Sequence, residues 1–149
     1  MFKFRLQRVL QWKEQREQEK ATELATARQE REAAREKCAS LQGARDEGMT
    51  RVSQMATASP TIGELRNLRL LVDRLNDAIE TAHEEAEAAE VQVRERMAEY
   101  TAAFQERKVL DRLREKGEEA WAMEEAEADR RLMDSVALNG FVQKQAAGR

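Results

Sequence analysis

Residues 65–93 read LRNLRLLVDRLNDAIETAHEEAEAAEVQV, and the spacing of their apolar side chains decides the fold. Leu65, Leu68, Val72, Leu75, Ile79, Ala82, Ala86, Ala89 and Val93 follow one another at alternating steps of three and four, and every one of these positions is apolar. That is a heptad seam held over about four heptads, the length at which a coiled coil becomes the natural reading. The small alanines at 82, 86 and 89 allow a partner helix to approach closely. After Val93 the apolar series continues at Met97, Tyr100 and Phe104, a four-residue step where three is due, which reads as a stutter that relaxes the supercoil.

Toward the N-terminus the same template runs through Leu6, Leu10, Lys13, Glu17, Lys20, Leu24, Ala27, Arg31, Ala34, Cys38, Leu41, Arg45, Gly48, Val52 and Met55. Nine of these fifteen positions are apolar, with polar interruptions gathered at Lys13–Lys20. A helix this polar needs a packed stripe to be stable in water. Between the two segments lies GMTRVSQMATASPTIGEL (residues 48–65), with the single proline of the chain at Pro60 and a capping box at Thr61-x-x-Glu64. A short connection between long helices makes them antiparallel neighbours.

The expected architecture is therefore all-α, a long two-helix antiparallel coiled-coil hairpin forming a single domain over residues 1–149. Helix 1 is expected at about 3–55, the turn at about 56–61, helix 2 at about 62–138 and a frayed tail at 139–149, because Asn139-Gly140 reads as a helix stop. Folding about residue 58 pairs residue i with about 117 − i. That leaves the chain after about Lys116 without a partner in helix 1, and Gly117 weakens the helix there by about 1 kcal/mol relative to alanine.

Composition agrees. Charged residues make up 37% of the 149 and aromatics 5%, the bias of long helices rather than of a globular core. The regular apolar spacing argues against disorder, the other reading of such a composition. The 26 cations nearly balance the 29 acids, giving a net charge of −3, so no general footprint for nucleic acid is present. The signs are unevenly distributed: Lys3, Arg5, Arg8 and Lys13 stand without an acid before Glu14, and 84–90 and 115–129 are acidic stretches. No apolar run is long enough to span a bilayer or to form a secretory signal, and the lone Cys38 fits a reducing compartment. A soluble cytoplasmic protein is expected.

Chemistry-bearing motifs are sparse. One histidine, His83, and one cysteine cannot assemble a His/Cys metal set, and there is neither a phosphate-binding glycine loop nor a nucleophile elbow. The expectation is a protein without catalytic activity, cofactor, metal or small-molecule substrate. Cys38 falls on the seam as a small buried residue. His83 is a solvated or partner-facing residue beside the seam. Trp121 lies beyond the pairing region and is a candidate contact site. The opening MFKFRLQRVLQW has three readings: a cluster closing the open end of the hairpin, a segment docking into a partner protein, or a basic amphipathic helix on a membrane surface.

Three stretches carry a family resemblance. FKFRLQRVLQWKEQREQEKATELA (2–25), LLVDRLNDAIETA (70–82) and ERKVLDRLREKGEEAWAMEEAEADRRLMDSVA (106–137) together resemble the FliJ family, small coiled-coil proteins of the bacterial flagellar type III export apparatus. The resemblance implies a two-helix coiled coil similar to the central stalk of rotary ATPases. It also implies binding to the hexameric export ATPase through the end that holds the termini, to the export-gate membrane protein FlhA, and to export chaperones. By position the ATPase-facing residues are Phe4, Leu6, Val9, Leu10, Arg107, Leu110 and Leu113, and the gate-facing residues are Leu71, Leu75, Ala78 and Ala82. At the first gate position leucine stands where the family can have an aromatic, and the histidine expected at the last falls one residue later, at His83. A generic coiled-coil tether without ATPase coupling, or a peripheral membrane protein using the basic N-terminal helix, are the alternatives.

Overall fold

The computed structural model describes residues 1–147, and the side chains of residues 1–143. Two helices make up the fold: α1, Gln7–Thr57, and α2, Ile62–Ala147. They run antiparallel as an all-α helical hairpin. The residues fall into two compact units to which both helices contribute. One comprises Arg16–Ala103 and includes the reversal; the other comprises Met1–Gln15 with Phe104–Arg149.

The reversal takes four residues, 58–61. Ser59 adopts the left-handed region at φ 55°, which lets the chain turn before Pro60, and α2 then starts on the capping box. The Thr61 backbone N–H donates to the Glu64 carboxylate at 3.0 Å, and the Glu64 N–H donates to the Thr61 hydroxyl at 3.3 Å. Two otherwise orphaned donors at the helix start are satisfied this way. Thr61, chiefly through that backbone bond, holds the Glu64 carboxyl below its ordinary pKa.

Within Arg16–Ala103 the packed line is the heptad seam. Leu24, Ala27, Cys38, Val72, Ile79, Ala82, Val93 and Ala103 are buried, and Leu24, Ala27 and Val93 form a cluster against which Tyr100 packs. The polar template positions Glu17, Lys20, Arg31 and Arg45 are half-buried. Long charged side chains at such positions can cover the seam with their aliphatic stems. Gly48 is buried, and a Cβ there would stand 3.4 Å from Val72.

Three expectations are corrected. The first is the stutter. Met97 is 44% exposed, whereas Arg96 is half-buried and Ala103 buried. The seam thus keeps its three–four alternation through Val93, Arg96, Tyr100, Ala103, Arg107, Leu110 and Arg114. Tracking apolar residues alone skips Arg96, whose guanidinium is held by Glu23 and Glu99. The second is register. Lys13 meets Glu106, Lys20 meets Glu99, Arg35 meets Glu90 and Lys37 meets Glu85. Residue i therefore lies across from about 120 − i, a few residues beyond the expected 117 − i, because α1 runs on to Thr57 before the chain turns.

The third concerns the helix ends. Residues 3–6 are not in α1, which begins at Gln7. No Ser, Thr, Asp or Asn stands ready as a cap there, and the first turn holds no acid, so cations crowd a helix end that favours anions. At the other end α2 passes through Asn139-Gly140 to Ala147. Gly140 does not take the positive φ of a glycine helix stop, so it is an interior residue with only a propensity cost. Of the tail expected to fray, residues 148–149 lie outside the described residues.

The correction to the stutter is testable by denaturation. Leu24→Ala is expected to cost about 2–4 kcal/mol, while Met97→Ala stays within about 0.5 kcal/mol. Equal losses at the two positions would restore the stutter.

Candidate functional site

The seam of Arg16–Ala103 carries an ion-pair cluster. The Lys20 ammonium donates to Glu99 at 2.8 Å and to Glu23 at 2.9 Å. Arg96 reaches the same two carboxylates, Glu23 at 3.0 Å and Glu99 at 3.1 Å. Hydrogen bonds from Lys20 and then from Arg96 hold the Glu99 carboxyl below its usual pKa. Those to Glu99 and Glu23 hold the Lys20 ammonium above its own. Arg31 and Arg35 approach Glu90, at 4.0 and 3.0 Å, and Lys37 lies 2.6 Å from Glu85. Of the crossings named here, Glu23–Arg96 has its carboxylate on α1, and the others have their cation there. The Arg31 Nε is buried without a hydrogen-bond partner.

The four positions expected to face the gate separate by depth. Leu71 is exposed, Leu75 and Ala78 are half-buried, and Ala82 is wholly buried at 0% exposure. Leu71, Leu75 and Ala78 can thus offer surface, while Ala82 is a packing residue in the seam. Leu70, also exposed, adjoins Leu71, and Ile62 stands 87% exposed at the start of α2. His83 is exposed and lines a shallow groove with Cys38, which is buried.

The seven positions expected to face the ATPase all fall in the other unit. Leu10 is wholly buried; Phe4, Arg107 and Leu110 are half-buried; Leu6, Val9 and Leu113 are exposed. Arg107 pairs with Asp111 one turn on, and its guanidinium lies 5.5 Å from the Phe104 ring centre. Phe2, Phe4, Leu6, Leu113 and Gly117 line a common cavity.

That cavity reveals a role that helix propensity does not predict. A Cβ on Gly117 would stand 3.0 Å from the Phe2 ring. The missing side chain makes the seat on which Phe2 rests, so the non-helical residues before α1 are anchored to α2. Gly117 therefore has a partner, and Trp121 one turn on is half-buried, against the expectation of an uncovered ring. The sequence signal was the coincidence of an interior glycine with an aromatic at the paired register position, and it is visible only once the register is right.

Beyond Trp121 every residue from 122 to 143 is exposed. Leu132, Met133, Val136, Leu138, Phe141 and Val142 each show 60% or more of their surface. Their spacing distributes them around the helix rather than along one stripe. A helix apolar on all sides is ordinarily buried. Among the described residues no cluster of His, Cys, Asp or Glu is arranged to hold a metal, and no helix is long and apolar enough to cross a membrane.

Fold and surfaces together define an all-α helical hairpin with a charged seam and uncovered apolar positions on α2. The family model describing the flagellar FliJ protein matches residues 2–146, and the chain belongs to that family. It is a flagellar protein related to export. Comparison with curated proteins yields no match, and neither does comparison with solved structures.

Two outcomes follow. Gly117→Ala is expected to bring no gain in the native chain but a gain of about 1 kcal/mol in a Phe2→Ala background, where the ring is gone. An equal gain in both backgrounds would remove the seat. The ion-pair cluster predicts a second dependence. With Glu99 lowered, its stabilisation is complete above the ordinary glutamate pKa of about 4.3 and lost as pH falls through the folded value. With Lys20 raised, its contribution is complete below the ordinary lysine pKa of about 10.4 and lost as pH rises through the folded value. Glu99→Gln should flatten the acid limb of thermal midpoint against pH, and an unchanged limb would exclude this pairing.

Proposed function

We propose that this chain is a non-enzymatic stalk of the flagellar type III export machinery that binds the export ATPase hexamer, promotes its assembly or turnover, and couples it to the export gate. The observation that carries this reading is the exposed apolar segment 132–142 of α2. Exposure of that much apolar surface all round a helix favours an enclosing partner, and the interior of a protein ring is such a partner. Phe4, Leu6, Val9, Arg107, Leu110 and Leu113 then form the adjoining ring contact, and the wholly buried Leu10 acts by holding them in place.

The same reading assigns Leu71, Leu75 and Ala78 to contact with the gate protein FlhA, with Ala82 setting the helix spacing beneath them. Export chaperones are further partners, and the working location is the cytoplasmic side of the inner membrane at the flagellar base. Family membership and the exposure of Leu71 support the gate assignment.

Hydrolysis of ATP by the cognate export ATPase, with and without near-equimolar chain, tests the proposal. Stimulation is expected, with loss on Leu113→Asp or Phe141→Asp and retention on Leu71→Asp. Both loss variants sit at exposed positions, so they leave the fold intact. Binding without stimulation would instead indicate a tether.

A further inference from the structure

The α1 surface turned away from α2 has a composition that the ring and gate contacts do not use. Leu10, wholly buried, and Lys13, paired with Glu106, mark the side of α1 that faces α2. Arg8 and Trp12 lie on the outer side, Val9 stands on the flank between them and the seam, and all three are exposed. Arg5 stands in the turn before the helix, and Arg5, Lys3 and Met1 are all exposed. Trp12 is 53% exposed and Val9 42%, and the Lys13 ammonium lies 4.8 Å from the indole centre. Residues 1–13 hold four cations and no carboxylate. Across 1–15 and 104–117 of the same unit there are nine cations against four acids, in a chain whose net charge is −3.

An indole set among long basic side chains on the convex outside of a helix suits a soft planar surface better than a preformed groove. An indole can sit at headgroup depth. Arg and Lys stems can lie along the apolar layer while their charges stay among the phosphates. We propose that Arg5, Arg8, Val9 and Trp12, with Lys3, form an interfacial contact for an anionic lipid bilayer. With so few apolar residues the contact is reversible and depends on negative lipid charge. It is independent of the ATPase reading, and Val9 is the one residue the two share.

The test is sedimentation of the full chain with vesicles of phosphatidylglycerol and phosphatidylcholine, against vesicles of phosphatidylcholine alone. Binding to the anionic vesicles is expected to be about tenfold or more tighter and to be released by molar salt. Arg5→Glu with Arg8→Glu, or Trp12→Ser, should abolish it while circular dichroism stays unchanged, since all three positions are exposed. In a Trp121→Phe chain, the Trp12 emission should move to the blue on anionic vesicles. Absence of binding, equal binding to neutral vesicles, or binding indifferent to these variants would overturn the proposal. So would capture by immobilised polyglutamate without vesicle binding, which would assign the face to an acidic protein.

Discussion

The hairpin depends on charged side chains that lie in its seam. Lys20, Glu23, Arg96 and Glu99 make one four-membered cluster across the two helices, and Arg31, Arg35 and Lys37 make further crossings to Glu90 and Glu85. Pairs this open to solvent are screened by water, so they contribute less to stability than to choice. A helix that supplies mostly cations opposite a helix that supplies mostly carboxylates fits in one orientation and one register. The apolar contribution is thin by comparison, since several of the buried residues are alanine or cysteine.

That division leaves large apolar side chains over. Leu10, Leu24, Val72, Ile79 and Val93 are buried. Ile62, Leu71, Val109, Leu113, Leu132, Met133, Leu138 and Phe141 are not. In a protein that folded only for its own stability, leucines and a phenylalanine would be the first residues placed in the seam. Here arginines and lysines occupy seam positions while leucines face water. Such a distribution suits a chain whose hydrophobic surface is completed by other proteins of the export machinery.

The fold was legible because heptad spacing survives polar substitution. The run Leu65–Val93 and the dilute template from Leu10 to Met55 coincide with the buried and half-buried positions. What hydropathy could not see was an arginine serving as a seam residue. Hydropathy favours Met97 over Arg96 and so makes a continuous seam look broken. Sequence locates the turn only to within a few residues, and the meeting of Phe2 with Gly117 depends on its centre. Glycine often ends helices by taking a positive φ, and sequence does not reveal that Gly140 keeps a negative one. Among the candidate contacts, residue identity pointed to Ala82 and Leu10 as readily as to Leu71 and Leu113. Depth separates them, and depth comes from packing rather than from sequence.

The central claim is that the seam is complete within the chain while the end of α2 is completed by a partner. Residue-resolved amide hydrogen exchange on the chain alone and with the export ATPase addresses it directly. The account predicts strong protection of seam residues such as Leu24 and Val93 in both samples, with rapid exchange across 122–142 in the free chain and protection there only in the complex. Equal protection of 122–142 in the free chain, or no change on adding the ATPase, would contradict it.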